Sequence, residues 1–290
     1  MNKHRNKQRN RGGSDKVSLG NDRGIVKWLL IALCAVFLVV LLVLPLVYVV
    51  VTAIRDGWNA YVKAVTDTYA VKSILLTLEV VAITVVVNTI FGVFAAWIIT
   101  KFTFRGKKII STLIDLPLAI SPIIAGLIFV LTFGRQSFLY PYLEKAGVQI
   151  IFAVPGIVLA TIFVTFPFIS REIIPVLTAA GSDEEEAAAM MGANGFQIFT
   201  QITFPHIKWA LLYGIVLCSA RAMGEFGAVS VLSGHLRGLT NTMPLYIELL
   251  YQAFDFTGAF AMSSILVVMA VIILVLRNIL EYRGQKEGDV

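Results

Sequence analysis

Two charged residues stand where charge is expensive to keep: Arg221 and Glu225, inside the apolar run Trp209–Ser233. A charged side chain at mid-bilayer costs about 2.5–3.5 kcal/mol on insertion scales, and such residues normally face a bundle interior or a wet cavity. Four residues apart, the two share a helix face and can pair. Ser219 adds a hydroxyl two residues before the arginine. Two chemistries fit this spacing. One is a salt bridge that locks a helix bundle; the other is an arginine that makes a pathway attractive to an anion. Both hold if the pairing changes between two states of the bundle. Gly224 and Gly227 permit close helix contact beside the pair. Glu79 and Asn88 in the second apolar run, and Asp115 with Pro117 and Ser121-Pro122 in the third, are candidates for kinks or pathway lining. Helix packing accounts for them equally well, because proline frees carbonyls that need new partners.

Enzyme chemistry has little to stand on. His4, His206 and His235 are scattered, and neither a His-Glu-x-x-His pattern nor a Ser/His/Asp grouping occurs. No Gly-x-x-x-x-Gly-Lys-Ser/Thr phosphate loop is present, so any ATP-derived energy must come from a separate protein. Cys34 and Cys218 both lie in apolar runs, which suggests buried small hydrophobes and neither a disulfide framework nor a metal site. The expectation is no catalytic residue, no metal and no cofactor.

The elements that must position Arg221 and Glu225 are set by composition. Of 290 residues, 58% are hydrophobic and only 14% charged, against about 25% charged in a soluble domain. Lipid must replace water around much of this chain. Crossing the hydrocarbon takes about 20 apolar residues in a helix, and six runs qualify: Val26–Ala53, Ser73–Thr100, Ile109–Leu131, Ile150–Phe168, Trp209–Ser233 and Gly258–Leu280. The fold class is therefore an all-α membrane protein with six transmembrane helices in a single domain, residues 25–290. The first run far exceeds the about 7–15 residues of a signal-peptide core, so it reads as an anchor.

Residues 1–24 form a basic tail, expected to be disordered and cytosolic. Eight of the 24 Lys and Arg fall within the first 27 residues. Beside a long apolar run such a tail touches anionic lipid in preference to nucleic acid. With the N-terminus inside, seventeen basic residues lie in cytosolic segments, six in outside loops, and Arg221 within a span. That bias places both termini in the cytosol. The outside loops are short, so substrate capture would need another protein.

One break between runs differs from the rest, the cytosolic loop at about 181–207. Ser182 and Glu185 have capping-box spacing, Asp183 to Glu186 fall in a first turn where the helix dipole favours acids, and Gly192 suits a left-handed helix end. A second helical stretch carries Phe196, Ile198, Phe199 and Ile202 before Phe204-Pro205. These apolar side chains either lie against the membrane domain or dock in a groove on a partner. A compact elbow with an apolar knob suits transmission of force between rigid bodies.

The loop resembles the signature of bacterial binding-protein-dependent ABC permeases, the MetI-like family: Glu-Ala-Ala, three residues, Gly, nine residues, Ile-x-hydrophobic-Pro. Glu186, Ala187, Ala188, Gly192, Ile202 and Pro205 occupy its fixed positions at the expected spacing. The resemblance implies a type I ABC importer permease fold, with this loop as a coupling helix seated on an ATPase subunit. It further implies a second homologous permease subunit, two ABC ATPase subunits and an external substrate-binding protein as partners. The stretch Ala220–Val229, continued by Val231-Leu232-Ser233-Gly234, resembles the sulfate/thiosulfate permeases. Molybdate and tungstate permeases share its Arg-Ala-x-Gly-Glu-Phe-Gly core, and Thr242–Glu248 fits both groups. Six spans in 290 residues are more like the sulfate branch. By that resemblance the transported substrate is a tetrahedral oxyanion, sulfate or thiosulfate, and Arg221, Glu225 and Ser219 belong to its pathway or gate. The rivals are an ion-coupled secondary transporter, which should show inverted repeats and broken helices at the midplane, and a membrane-embedded interaction protein without transport.

Overall fold

The computed structural model describes residues 23–288; of the basic tail, residues 1–22 lie outside that range, and residues 23 and 24 begin the first helix. Among the described residues every regular element is helical. Two units partition the chain, 1–48 and 49–290. The first unit contributes α1 (Arg23–Leu38), a π-helical turn (Val39–Val43) and the start of α2 (Leu44–Ile54). In the second unit, after the end of α2, follow α3 (Trp58–Val65), α4 (Thr68–Lys101), α5 (Lys107–Ala119), α6 (Pro122–Phe133), α7 (Tyr140–Lys145), α8 (Val154–Thr165), α9 (Pro167–Ala180), α10 (Asp183–Met190) and α11 (Gly195–Ile198). A second π-helical turn (Phe199–Thr203) leads into α12 (Phe204–Met223), and α13 (Gly227–Leu232), α14 (Met243–Gln252) and α15 (Phe256–Gly288) complete the order. The two π-turns share a cause. Each is followed by a residue and then a proline, Leu44-Pro45 and Phe204-Pro205, and proline lacks the N–H and crowds the carbonyl four back. Widening the turn before it keeps the helix unbroken.

Among the described residues, five continuous helices are long and apolar enough to cross a membrane: Val26–Ile54, Thr68–Lys101, Val154–Ala180, Gly195–Met223 and Phe256–Tyr282. The third expected run, Ile109–Leu131, is not one helix. α5 and α6 meet at 111°, because a residue before proline is driven out of the helical region. Ser121 (ψ 134°) and Ile120 (ψ 135°) are both extended ahead of Pro122. The fourth span runs further than the sequence suggested: Phe166 keeps helical angles, so α8 and α9 carry on past Pro167 and Pro175 to Ala180. Arg171, counted with the loop charges, therefore sits inside a span. The fifth span is displaced the other way. It begins at Gly195 and stops at Met223, so the run Trp209–Ser233 is cut between α12 and α13.

The second unit's core forms where α4, α9 and α12 cross. Ala96, Ile169, Ile173, Leu177, Ile207, Leu211 and Cys218 pack there with at most 8% exposure. Asn88 is fully buried among them and donates to Thr165 Oγ1 (2.8 Å) and the Ile162 carbonyl (3.3 Å). Its amide donors thus have partners, while its Oδ1 is buried without one among the described residues. Thr77 Oγ1 accepts from the Met243 amide (2.8 Å), pinning the start of α14 to α4. Cys218 is buried as expected; Cys34 is exposed on its helix.

α6 and α13 approach with backbones almost touching. A Cβ at Gly126 would lie 2.7 Å from the Ala228 carbonyl oxygen, and one at Gly227 would lie 2.9 Å from Pro122 Cβ. Gly224 has nothing nearer than 3.9 Å, so only Gly227 fulfils the expected close contact. Gly126→Ala should force the helices apart at a cost of about 1–3 kcal/mol, whereas Gly224→Ala should be tolerated. Thermal melting of the purified complex in detergent checks this, and equal melting of the two variants would refute it.

Candidate functional site

The elbow is built from three clamped pieces. α10 ends in a motif in which the Gly192 amide bonds to Ala189 O (3.0 Å) and the Ala193 amide to Ala188 O (3.0 Å). This closure needs a left-handed residue at Gly192, whose φ is +91°. The expected capping box at Ser182 and Glu185 does not form: Ser182 makes no side-chain cap bond. Glu185 has stronger partners, because its Oε2 meets Lys101 Nζ of α4 at 3.0 Å and its Oε1 accepts from Thr203 Oγ1 at 2.6 Å. The Lys101 ammonium also donates to the Gly181 carbonyl. Both side chains are largely buried, so an ion pair there outweighs capping an exposed amide. A capping box does form at α11, where Asn194 and Gln197 exchange bonds of 2.9 Å.

The apolar side chains of the loop divide into an inward and an exposed set. Phe199 turns inward against Trp97 (ring centroids 5.9 Å) and Phe204 (6.4 Å). Ile202 lines a cleft with Lys101, Glu185 and Thr203. Phe196, Met190 and Met191 point out at 77%, 84% and 83% exposure. Ala188 is buried, while Glu186 and Ala187 are exposed on the same short helix. α11, the second π-turn and α12 form one helix of 29 residues, so the second stretch of the elbow is the beginning of a span.

That helix ends at Arg221 and Glu225. Arg221 Nη1 lies 2.6 Å from Glu225 Oε2, with side chains 32% and 1% exposed. The pair was expected mid-helix; it instead occupies the corner between α12 and α13. Arg221 is in the last turn of α12, where the dipole favours a cation. Glu225 Oε1 accepts from the Ala228 amide at 2.9 Å, satisfying a free N–H at the start of α13. Ser219 gives its hydroxyl to Ile215 O (2.7 Å) and stays apart from the pair. Thr77, Thr161, Thr242 and Glu225 line a cleft of about 10 Å³, room for a single water. Glu79 lies exposed on α4, and Asp115 meets Arg171 Nε at 2.8 Å.

At the end of α4 away from the elbow, Asp67 caps the helix by accepting from the Tyr69 amide (3.0 Å), and Tyr246 donates its hydroxyl to the same carboxylate (3.2 Å). Burial pushes the Tyr246 phenol above its ordinary range. The Arg237 guanidinium covers the Tyr69 ring at 4.7 Å.

Residues 88–285 match the model of the family described as binding-protein-dependent transport system inner membrane component. The chain belongs to that family. Among relatives of this inner membrane component, the sulfate transport system permease protein CysW of Escherichia coli (strain K12) is 44% identical over 261 residues, 90% of each chain. The protein of the same name from Synechocystis sp. (strain ATCC 27184 / PCC 6803 / Kazusa) is 43% identical over 258 residues, covering 89% of this chain and 94% of the relative. A chain of a bacterial alginate ABC transporter, crystallised with an alginate-bound periplasmic protein, superposes with TM-score 0.77 at 18% identity over 91% and 96% of the two chains. That likeness establishes the all-α permease fold.

The sequence reading missed Lys101, Thr203 and Arg171. A basic residue closing a long apolar run marks Lys101 as a helix end, but only the fold brings it to Glu185. Arg171 was hidden by Pro167 and Pro175, which look like helix stops.

Proposed function

We propose that the chain is the membrane-spanning permease subunit of an ATP-driven importer of sulfate or thiosulfate. Near-full-length identity of 43–44% to sulfate permeases supports the substrate. The subunit pairs with a second homologous permease, rests on two ABC ATPase subunits, and receives its substrate from an external binding protein. Both termini and the 181–207 elbow face the cytosol, in keeping with the basic bias of those segments.

One observation carries the coupling role. The helix that leaves the elbow at Gly195 runs unbroken to Met223, about 40 Å at 1.5 Å per residue, so its far end carries Arg221. Glu186, Ala187, Ala188 and Gly192 shape the outward part of the elbow, while Ile202 and Pro205 join it to that helix. Met190, Met191 and Phe196 supply a knob for a groove on the ATPase. Closure of the ATPases on ATP displaces the knob; the clamp at Lys101 and Glu185 passes the push to α4, and the long helix passes it to the Arg221–Glu225 corner. The bundle then switches from inward-open to outward-open, and hydrolysis resets it. All hydrolysis belongs to the partner.

Reconstituted with its partner permease, ATPase and binding protein, the chain should take up radiolabelled sulfate only when ATP is inside. Excess molybdate should compete weakly. Uptake driven by an ion gradient without ATP would sink the reading, and stronger competition by molybdate or tungstate would move it to that branch.

A further inference from the structure

We propose that Arg171, held on α9 by Asp115 of α5, is a second anion-binding station on the transport route, distinct from the Arg221–Glu225 corner. The inference rests on reading the chain as an oxyanion importer. Arg171 Nε meets Asp115 Oδ1 at 2.8 Å, and the two side chains remain 55% and 43% exposed. Arg171 lies within the spanning helix Val154–Ala180, and Asp115 lies on α5 of the bent apolar pair α5–α6. Arg171 is nine residues short of the end of its span at Ala180, about 14 Å at 1.5 Å per residue, and Asp115 is four residues before α5 ends at Ala119, where the chain bends by 111° into α6. Charges within spans face a bundle interior or a water-filled cavity. Exposure rules out the interior of this chain, and lipid is the most costly alternative, so this face of α5 and α9 borders water.

The neighbouring geometry agrees. The cleft beside Glu225, about 10 Å³, is too small for a tetrahedral oxyanion, so the exposed face of α5 and α9 is the better place to look for a station on the route. Arg171 contacts Asp115 through Nε alone, and its terminal nitrogens make no hydrogen bond among the described residues. Those nitrogens form the planar fork that grips an oxyanion through two parallel bonds. The single acidic contact holds the guanidinium in place and leaves the fork available. Glu172 is turned away, its Cβ 3.5 Å from the position of a Cβ at Gly214 of α12. Glu79, also exposed within a span, offers an anion only repulsion.

The test uses the full importer in membranes, with Arg171→Cys in a Cys34→Ser background. The introduced thiol should react with a water-soluble methanethiosulfonate bearing a sulfonate group, and sulfate supplied with the binding protein and ATP should slow that reaction. No labelling in an assembled complex would overturn the proposal, because the position would then face lipid or a dry interface. Arg171→Ala should raise the KM for sulfate by about ten- to a hundredfold, the loss of a charge-assisted contact. Unchanged KM and uptake would also overturn it. Arg171→Gln keeps a side chain able to bond Asp115 and should show the same rise, which serves where the alanine variant assembles in low yield. Failure of the underlying function has a different signature: the unmodified importer would not transport sulfate, while labelling at position 171 would persist.

Discussion

Gly192→Pro is expected to abolish ATP-dependent sulfate uptake while leaving the chain inserted in the membrane at normal levels. Proline fixes φ near −65°, whereas Gly192 sits at +91°. The ring also removes the amide that bonds Ala189 O, and with it the path by which the Ala193 amide reaches Ala188 O. α10 then loses its terminus, the exposed Met190 and Met191 shift relative to Phe196, and on the proposed reading the knob no longer fits the ATPase. None of these residues contributes to the core at α4, α9 and α12, so folding of the membrane part should survive. Gly192→Ala separates the causes. Nothing lies within 4 Å of an added Cβ, so only the left-handed backbone is penalised, by roughly 1–2 kcal/mol. Uptake should fall partway for alanine and to background for proline, measured against membrane-inserted protein on a blot. Normal uptake by the proline variant would remove the elbow from the coupling mechanism.

What could be read from the residues, and what could not, follows from the range of the forces involved. Apolar runs locate membrane helices because each run must satisfy its own backbone and face lipid, a local requirement. Each of the five continuous spans therefore overlaps an expected run, although the fourth and fifth are shifted along the chain, and Gly192 was legible because one residue's φ decides it. Glu185 was misjudged as a capping residue because its true partners, Lys101 and Thr203, are 84 and 18 residues away in sequence. Prolines misled in both directions. Pro122 breaks a run that hydropathy joins, since the extended residues before it have nothing to hold them in a helix. Pro45, Pro167 and Pro205 interrupt nothing, since a widened turn or an unsatisfied first turn absorbs the missing N–H. Hydropathy cannot tell these cases apart. The same blindness put Arg221 at mid-helix, where an unsupported charge would be costly; the break at Gly224 gives each charge a helix end of the opposite sign.

Arg221→Ala is the second substitution with a large expected effect, and a paired variant gives it meaning. Glu225 is 1% exposed, and its partners are Arg221 at 2.6 Å and the Ala228 amide. Deleting the arginine strands a carboxylate inside the bundle, and breaking a buried pair from one side typically costs about 3–5 kcal/mol. Complex yield and uptake should both fall, an outcome that a purely structural lock would also produce. Arg221→Ala with Glu225→Gln tells the two roles apart. The glutamine oxygen still accepts from Ala228, and no charge is left unpaired, so the α12–α13 corner should close and yield should recover. If the pair only locks the helices, uptake recovers with yield. On the proposed reading the guanidinium, one-third exposed at the end of the long helix, draws the anion along the route. Yield should then return while uptake per assembled complex stays roughly ten- to a hundredfold low, as expected for one lost charge-assisted contact. Uptake and yield recovering together would take Arg221 off the pathway and leave it as a brace.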